Sequence, residues 1–261
     1  MKREITKISP IIFALLILLT GQVHAQTDQV TQFSTIDALL NGLYDGQFSF
    51  SEIKKSGNFG IGTFNALDGE MVLLDGTVYQ VTANDGVHKI DVPGKTPFAV
   101  TAFFEPDTQF SLSGNNSIEE LKEETDKYLI SENLFYAIKI TGKFSYMKTR
   151  SILEQSKPYP PLAESAKEQV VFEAENIDGT VIGFYSPEYI KGINVPGYHL
   201  HFISGDKTFG GHILNLKIEK AVAEIDEIKN FSLHLPENDD FYKTNLKKDK
   251  SKELKAVEQD K

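Results

Sequence analysis

Apolar and polar positions alternate along this chain with two different periods. In residues 35–44 (TIDALLNGLY) the apolar side chains recur at helical spacing. Thr35 or Ser34 can cap the start, and Asp37 falls in the first turn. Residues 117–129 (SIEELKEETDKYL) predict a longer helix, opened by a Ser117–Glu120 capping box and carrying an acidic, solvated face.

Elsewhere the pattern is one of short apolar runs broken by turn residues. Between Gly46 and Phe104 the breaks fall at Asn58, Asp68–Gly69, Asp75–Gly76, residues 84–86 and Pro93–Gly94. The runs at 72–74 and 78–81 flank Asp75–Gly76, which predicts a tight hairpin. Residues 135–147 read as strand, turn, strand. Strand-like runs follow at 170–172, 179–184, 197–202, 212–218 and 231–235. Between the two groups, residues 157–161 (KPYPP) predict a rigid extended linker and mark the expected domain boundary.

The ends of the chain follow other rules. A basic start (Lys2, Arg3, Lys7), an apolar run at 11–19 and Val23-His24-Ala25 have the layout of a secretory signal peptide cleaved after Ala25. The expected organisation is therefore a signal peptide (1–25), an N-terminal α/β domain (26–156), a C-terminal β-rich metal-binding domain (157–246) and a charged tail (247–261). By composition alone that tail reads as disordered. Export predicts a secreted or periplasmic protein with no membrane association once the leader is removed.

Composition narrows the function. An apolar content of 40% supports a real core, and the absence of cysteine means that no disulfide reinforces it and no sulfur-closed zinc site is possible. The net charge is −10 at pH 7, with a basic leader that leaves the rest more acidic still. Nucleic acid is excluded as a partner on that ground, since phosphate binding needs clustered cations.

Against that background, half of the six histidines fall in GYHLHFISGDKTFGGH, residues 197–212. His199 and His201 are two apart, so in a strand they share a face. A Gly-rich turn can return His212 to the same face. Three imidazoles on one hairpin suit zinc or another borderline divalent ion and leave a coordination position open, the pattern of catalytic sites. Past the leader, Arg150 stands as the single arginine in a lysine-rich chain. It is the natural candidate for a planar, two-point contact to a carboxylate. Glu70 follows the Asp68–Gly69 turn and precedes an apolar strand, from which it could project inward.

These residues together resemble the alpha-acetolactate decarboxylases. The likeness runs from about Phe33 to Tyr242. It rests on LYDG (43–46), FGIGTFN (59–65) followed by LDGE (67–70), NLFYAI (133–138), GYHLHF (197–202) and GGH (210–212). The resemblance implies zinc on His199, His201 and His212, Glu70 and Arg150 as active-site residues, and Thr63 lining the substrate pocket. It also implies a tail glutamate returning to the metal site, with Glu258 the best match and Glu253 the next. The implied fold is α/β (α+β): two sheet-based domains with mixed or antiparallel sheets, a few helices and the metal site between them, usually as a homodimer.

The implied reaction is carboxy-lyase chemistry, 2-acetolactate to acetoin and CO2, with zinc as Lewis acid on the chelated hydroxy-ketone. Arg150 would orient the departing carboxylate, and Glu70 or Glu258 would deliver a proton. Rival readings are a cupin-like metal oxygenase, a carbonic-anhydrase-like hydratase, and an exported non-catalytic metal-binding module. Cupins place a glutamate shortly after His-x-His, where this chain has Gly205 and Asp206.

Overall fold

The computed structural model describes residues 28–114 and 117–258, so the expected signal peptide lies outside the described residues. In chain order the elements are β1 (Gln29–Phe33), α1 (Ile36–Leu40), β2 (Phe48–Ser49), α2 (Phe50–Lys55), β3 (Phe59–Thr63), β4 (Glu70–Leu74), β5 (Thr77–Thr82) and β6 (Gly86–Lys89). Then come β7 (Lys95–Thr96), β8 (Ala99–Ala102), β9 (Thr108–Ser113), α3 (Ile118–Asp126) and β10 (Phe135–Ser151). The remainder are α4 (Leu162–Ser165), β11 (Val170–Ser186), β12 (Gly197–Ser204), β13 (Gly210–Ile228), β14 (Asn230–His234), α5 (Asp239–Lys243) and α6 (Ser251–Glu258).

Local chemistry accounts for most of these boundaries. Thr35 accepts from the N–H of Ala38 and caps α1, and Ser117 accepts from the N–H of Glu120 and caps α3. Asp75 and Gly76 take φ of 50° and 73°, as a two-residue hairpin loop requires, and they join β4 to β5.

Two sheets result. The first runs β14-β1-β8-β3-β4-β5-β6, antiparallel except for the parallel β1–β14 pair. The second runs β10-β11-β12-β13-β9, and β10 also pairs with β13, so four strands close on themselves. Ile61, Val72 and Val100 of the first sheet share one core with Ile182, Phe184 and Ile203 of the second. The rings of Phe59 and Phe184 meet edge to face across it at 5.8 Å. The other side of the first sheet is covered by Phe48, Phe50 and Ile53, and the closed strands hold a core of their own around Phe144, Met147 and Phe202. The architecture is the α+β, sheet-rich one expected.

Three expectations are revised. Residues 135–147 are not strand, turn, strand but part of one 17-residue strand. A Cβ on Gly142 would lie 2.3 Å from the carbonyl oxygen of Lys220, so this glycine serves close strand approach rather than a turn. The Pro-rich run does not separate the sheets: β9 and β10 precede it yet belong to the second sheet, and β14 follows it yet returns to the first. The chain changes sheet between β8 and β9. Residues 157–161 dock instead, with Tyr159 packed on Tyr44 at 5.1 Å and the Tyr44 hydroxyl donating to the Pro160 carbonyl at 3.0 Å. The tail, finally, is ordered through residue 258 as α6, with Leu254 and Val257 buried in the shared core.

Candidate active site

Register places the histidines. His201 on β12 lies opposite His212 on β13, and His212 lies opposite Arg150 on β10. Cross-strand partners share a face, so Arg150, His212 and His201 form one row, with His199 two residues along. Ring centroids of the three histidines are 5.1–5.4 Å apart. A ring nitrogen from each falls within 4.8 Å of the others. Gly211 makes this possible. It adopts φ of 129°, and a Cβ there would sit 2.5 Å from the Arg150 carbonyl oxygen.

Glu70 enters from the first sheet at the start of β4. Its Oε1 accepts from Arg150 Nη1 at 2.6 Å, and its Oε2 is 3.7 Å from His201 Nε2. The carbonyl of the next residue, Met71, lies 2.9 Å from His201 Nδ1. That contact places the proton on Nδ1 and leaves Nε2 as the free lone pair. Glu258 enters from the end of α6. Its Oε2 is 3.8 Å from Nε2 of both His199 and His212. Glu253, the other tail candidate, is exposed on α6.

Thr63 lies opposite Glu70 in the β3–β4 ladder and donates its hydroxyl proton to the Gly69 carbonyl at 2.7 Å. It thus faces the site while bracing the turn that presents Glu70. His88 and His234 lie apart, beside Asp85 and stacked on Phe33 respectively.

Burial dominates the electrostatics. Desolvation lowers His199 to about 3, with the Arg150 charge adding to the shift, and holds His201 and His212 well below the usual imidazole value. All three are therefore neutral near pH 7, which is the form that binds metal. Desolvation also raises Glu70 to about 7 against the opposing pull of Arg150, and Glu258 to about 7 in the same way.

The site fits a metal on its own chemistry. His199 Nδ1, His201 Nε2 and His212 Nδ1 are buried without a hydrogen-bond partner. Such orphan groups cost about 1–3 kcal/mol each, a cost that metal ligation would remove. Beside them a cavity of about 30 Å³ is lined by Thr63, Glu70, Arg150, His199, His201 and Glu258 together with apolar groups such as Leu162 and Val257. A larger cavity of about 650 Å³, around Tyr44, Asp45 and Tyr159, touches none of these residues.

Sequence reasoning missed the Met71 carbonyl and the apolar wall. Backbone acceptors leave no residue-type signal, and Ile152, Leu162 and Val257 come from segments that carry no common motif.

Neutral imidazoles, a buried arginine–carboxylate pair and a second buried carboxyl form a closed site whose three histidines could hold a metal ion. The comparisons make this specific. The sequence profile of the alpha-acetolactate decarboxylase family matches residues 30–248. The alpha-acetolactate decarboxylase of Methanosarcina mazei is 47% identical over 232 residues, which cover 89% of this chain and 81% of that protein. That of Bacillus subtilis strain 168 is 40% identical, covering 93% of this chain and 95% of its own length. A crystal structure of alpha-acetolactate decarboxylase from Bacillus subtilis strain 168 superposes with a TM-score of 0.87, covering 89% of this chain and 100% of that one. The chain belongs to the alpha-acetolactate decarboxylase family, and so to the carboxy-lyases.

Proposed function

We propose that this protein converts 2-acetolactate to acetoin and CO2, as a step of acetoin formation, with zinc held by His199, His201 and His212. The observation that carries this reading is the cross-strand row Arg150–His212–His201, flanked by Glu70 and Glu258. Zinc bound there would supply a Lewis acid for the substrate's hydroxy-ketone oxygens and for the charge that appears as CO2 leaves.

The chain's own groups do the rest. Arg150 keeps its Nε proton without a partner while Nη1 holds Glu70, so it retains a donor with which to orient the substrate carboxylate. Burial favours the protonated form of both Glu70 and Glu258, and either carboxyl stands close enough to the histidines to deliver a proton to the carbon left by CO2. Thr63 and the apolar wall exclude water and shape the pocket. The leader supports export, and the family resemblance supports a homodimer. Among the described residues no helix is long and apolar enough to cross a membrane.

The test is incubation of the purified protein with racemic 2-acetolactate, scoring acetoin and CO2. Both are expected to form, to stop on chelation and to return when zinc is restored. Turnover that survives complete removal of metal would sink the zinc assignment. N-terminal sequencing of exported protein, expected to begin at Gln26, and its mass in solution check export and dimer.

A further inference from the structure

Glu258 stands at a partition. On one side lies the cavity of about 30 Å³ beside Arg150, with room for about one water. On the other is a pocket of about 280 Å³ lined by His212, Glu258, Lys122, Glu119 and Tyr198. The second pocket exists because β12 and β13 pair over only three positions, His201↔His212 to Ile203↔Gly210. Beyond His212 the strands part, and β13 next takes β9 as its neighbour on that side, at Lys220. Helix α3 lies across the opening, tied by the Ile118 N–H to Asn215 Oδ1 at 3.3 Å. The split in the sheet thus leads from solvent to a histidine of the metal site.

One cation lines this opening. Lys122, on α3, is half-buried and has no ion-pair partner among the described residues. Its charge is felt at the Glu258 carboxyl. The surroundings are hostile to an anion: the chain carries a net charge of −10, and Glu119 shares the lining. A partly desolvated ammonium at such a mouth acts over several ångströms to draw in a carboxylate that the rest of the molecule repels.

We propose that the split between β12 and β13 is the route by which the anionic substrate reaches the metal site, and that Lys122 steers its carboxylate inward past Glu258. The inference rests on the decarboxylase reading above. A different pocket, of about 430 Å³, also touches Glu258 and is lined by Lys191, Val195 and Lys255, but by none of the three histidines. Lys191 there already faces Asp249 at 3.5 Å. That pocket provides the control.

The experiment measures kcat and KM for 2-acetolactate as a function of salt, in zinc-loaded protein. Wild-type protein that forms no acetoin would refute the parent reading rather than this one. Given wild-type turnover, Lys122→Glu is expected to raise KM about tenfold at low ionic strength, a steering-sized effect, with kcat, zinc content and melting temperature unchanged. The fall of wild-type kcat/KM with added salt should vanish in this variant, and Lys122→Arg should restore wild-type behaviour. Lys255→Glu should match wild type throughout. Wild-type KM and salt dependence in Lys122→Glu would overturn the proposal. A KM defect in Lys255→Glu alone would overturn it too, by placing the route through the pocket lined by Lys191 and Lys255.

Discussion

Arg150 meets two demands that lysine cannot meet together. Its Nη1 grips Glu70 at 2.6 Å while Nε stays buried and unpaired, which takes a planar group with several fixed donors. Arg150→Lys is therefore expected to lower kcat/KM by about a hundredfold, the scale of losing one oriented donor, while zinc stays bound. Turnover near the wild-type value would remove Arg150 from the mechanism. His201 is fixed by the Met71 carbonyl at 2.9 Å and is 1% exposed. Replacing it with alanine should abolish stoichiometric zinc as measured by elemental analysis, and acetoin formation with it. Undiminished metal in His201→Ala would contradict the ligand assignment.

The elements differ in how much of them the sequence exposed. The Asp75–Gly76 hairpin, the Ser117 cap and the His-x-His face were legible because each rests on neighbours a few residues apart. The run at 135–147 is one strand without a turn, because a glycine demanded by a neighbouring strand, such as Gly142, looks in one dimension like a turn. Likewise the run at 157–161 has the composition of a linker and the position of a docked strap, a distinction made only by Tyr44, far away in the chain. Of the site, the three histidines stand out by spacing and Arg150 by rarity, whereas Glu70, one glutamate among many, is singled out only by the resemblance. Glu258 could not be placed without the resemblance, since nothing local separates it from Glu253. Helix α6 settles that choice by burying Leu254 and Val257 and bringing residue 258 to the histidines. Truncation after Lys252 should abolish acetoin formation and cost roughly 1.5–3 kcal/mol for each buried apolar side chain removed, leaving a folded protein. Glu258→Gln should reduce turnover with no change in melting temperature. Normal turnover in both would reduce the glutamate to a bystander.

At the scale of the whole molecule, acidic groups gather where the chain passes from one sheet to the other. Asp226 is buried and accepts the Glu105 N–H at 3.0 Å. Desolvation, with Asp107, Asp28 and Glu105 near it, raises it to about 7. A carboxyl raised on folding stabilises below its unfolded value near 3.8, and that stability is lost as pH rises through about 7. Asp226→Asn should accordingly melt a few degrees, about 2–4 °C, above wild type at pH 8 and match it at pH 4. Equal melting at pH 8 would show that the carboxyl is not desolvated. The parallel pairing of β1 with β14 carries a consequence of a different kind. It seals the first sheet with segments 201 residues apart, as in the bond from the Lys229 N–H to Asp28 Oδ1. Such distant closure makes for slow folding, and β1 must wait, its edge open, until almost the entire chain is available to fold. Partly folded chains of this protein should be prone to edge-to-edge association during that interval.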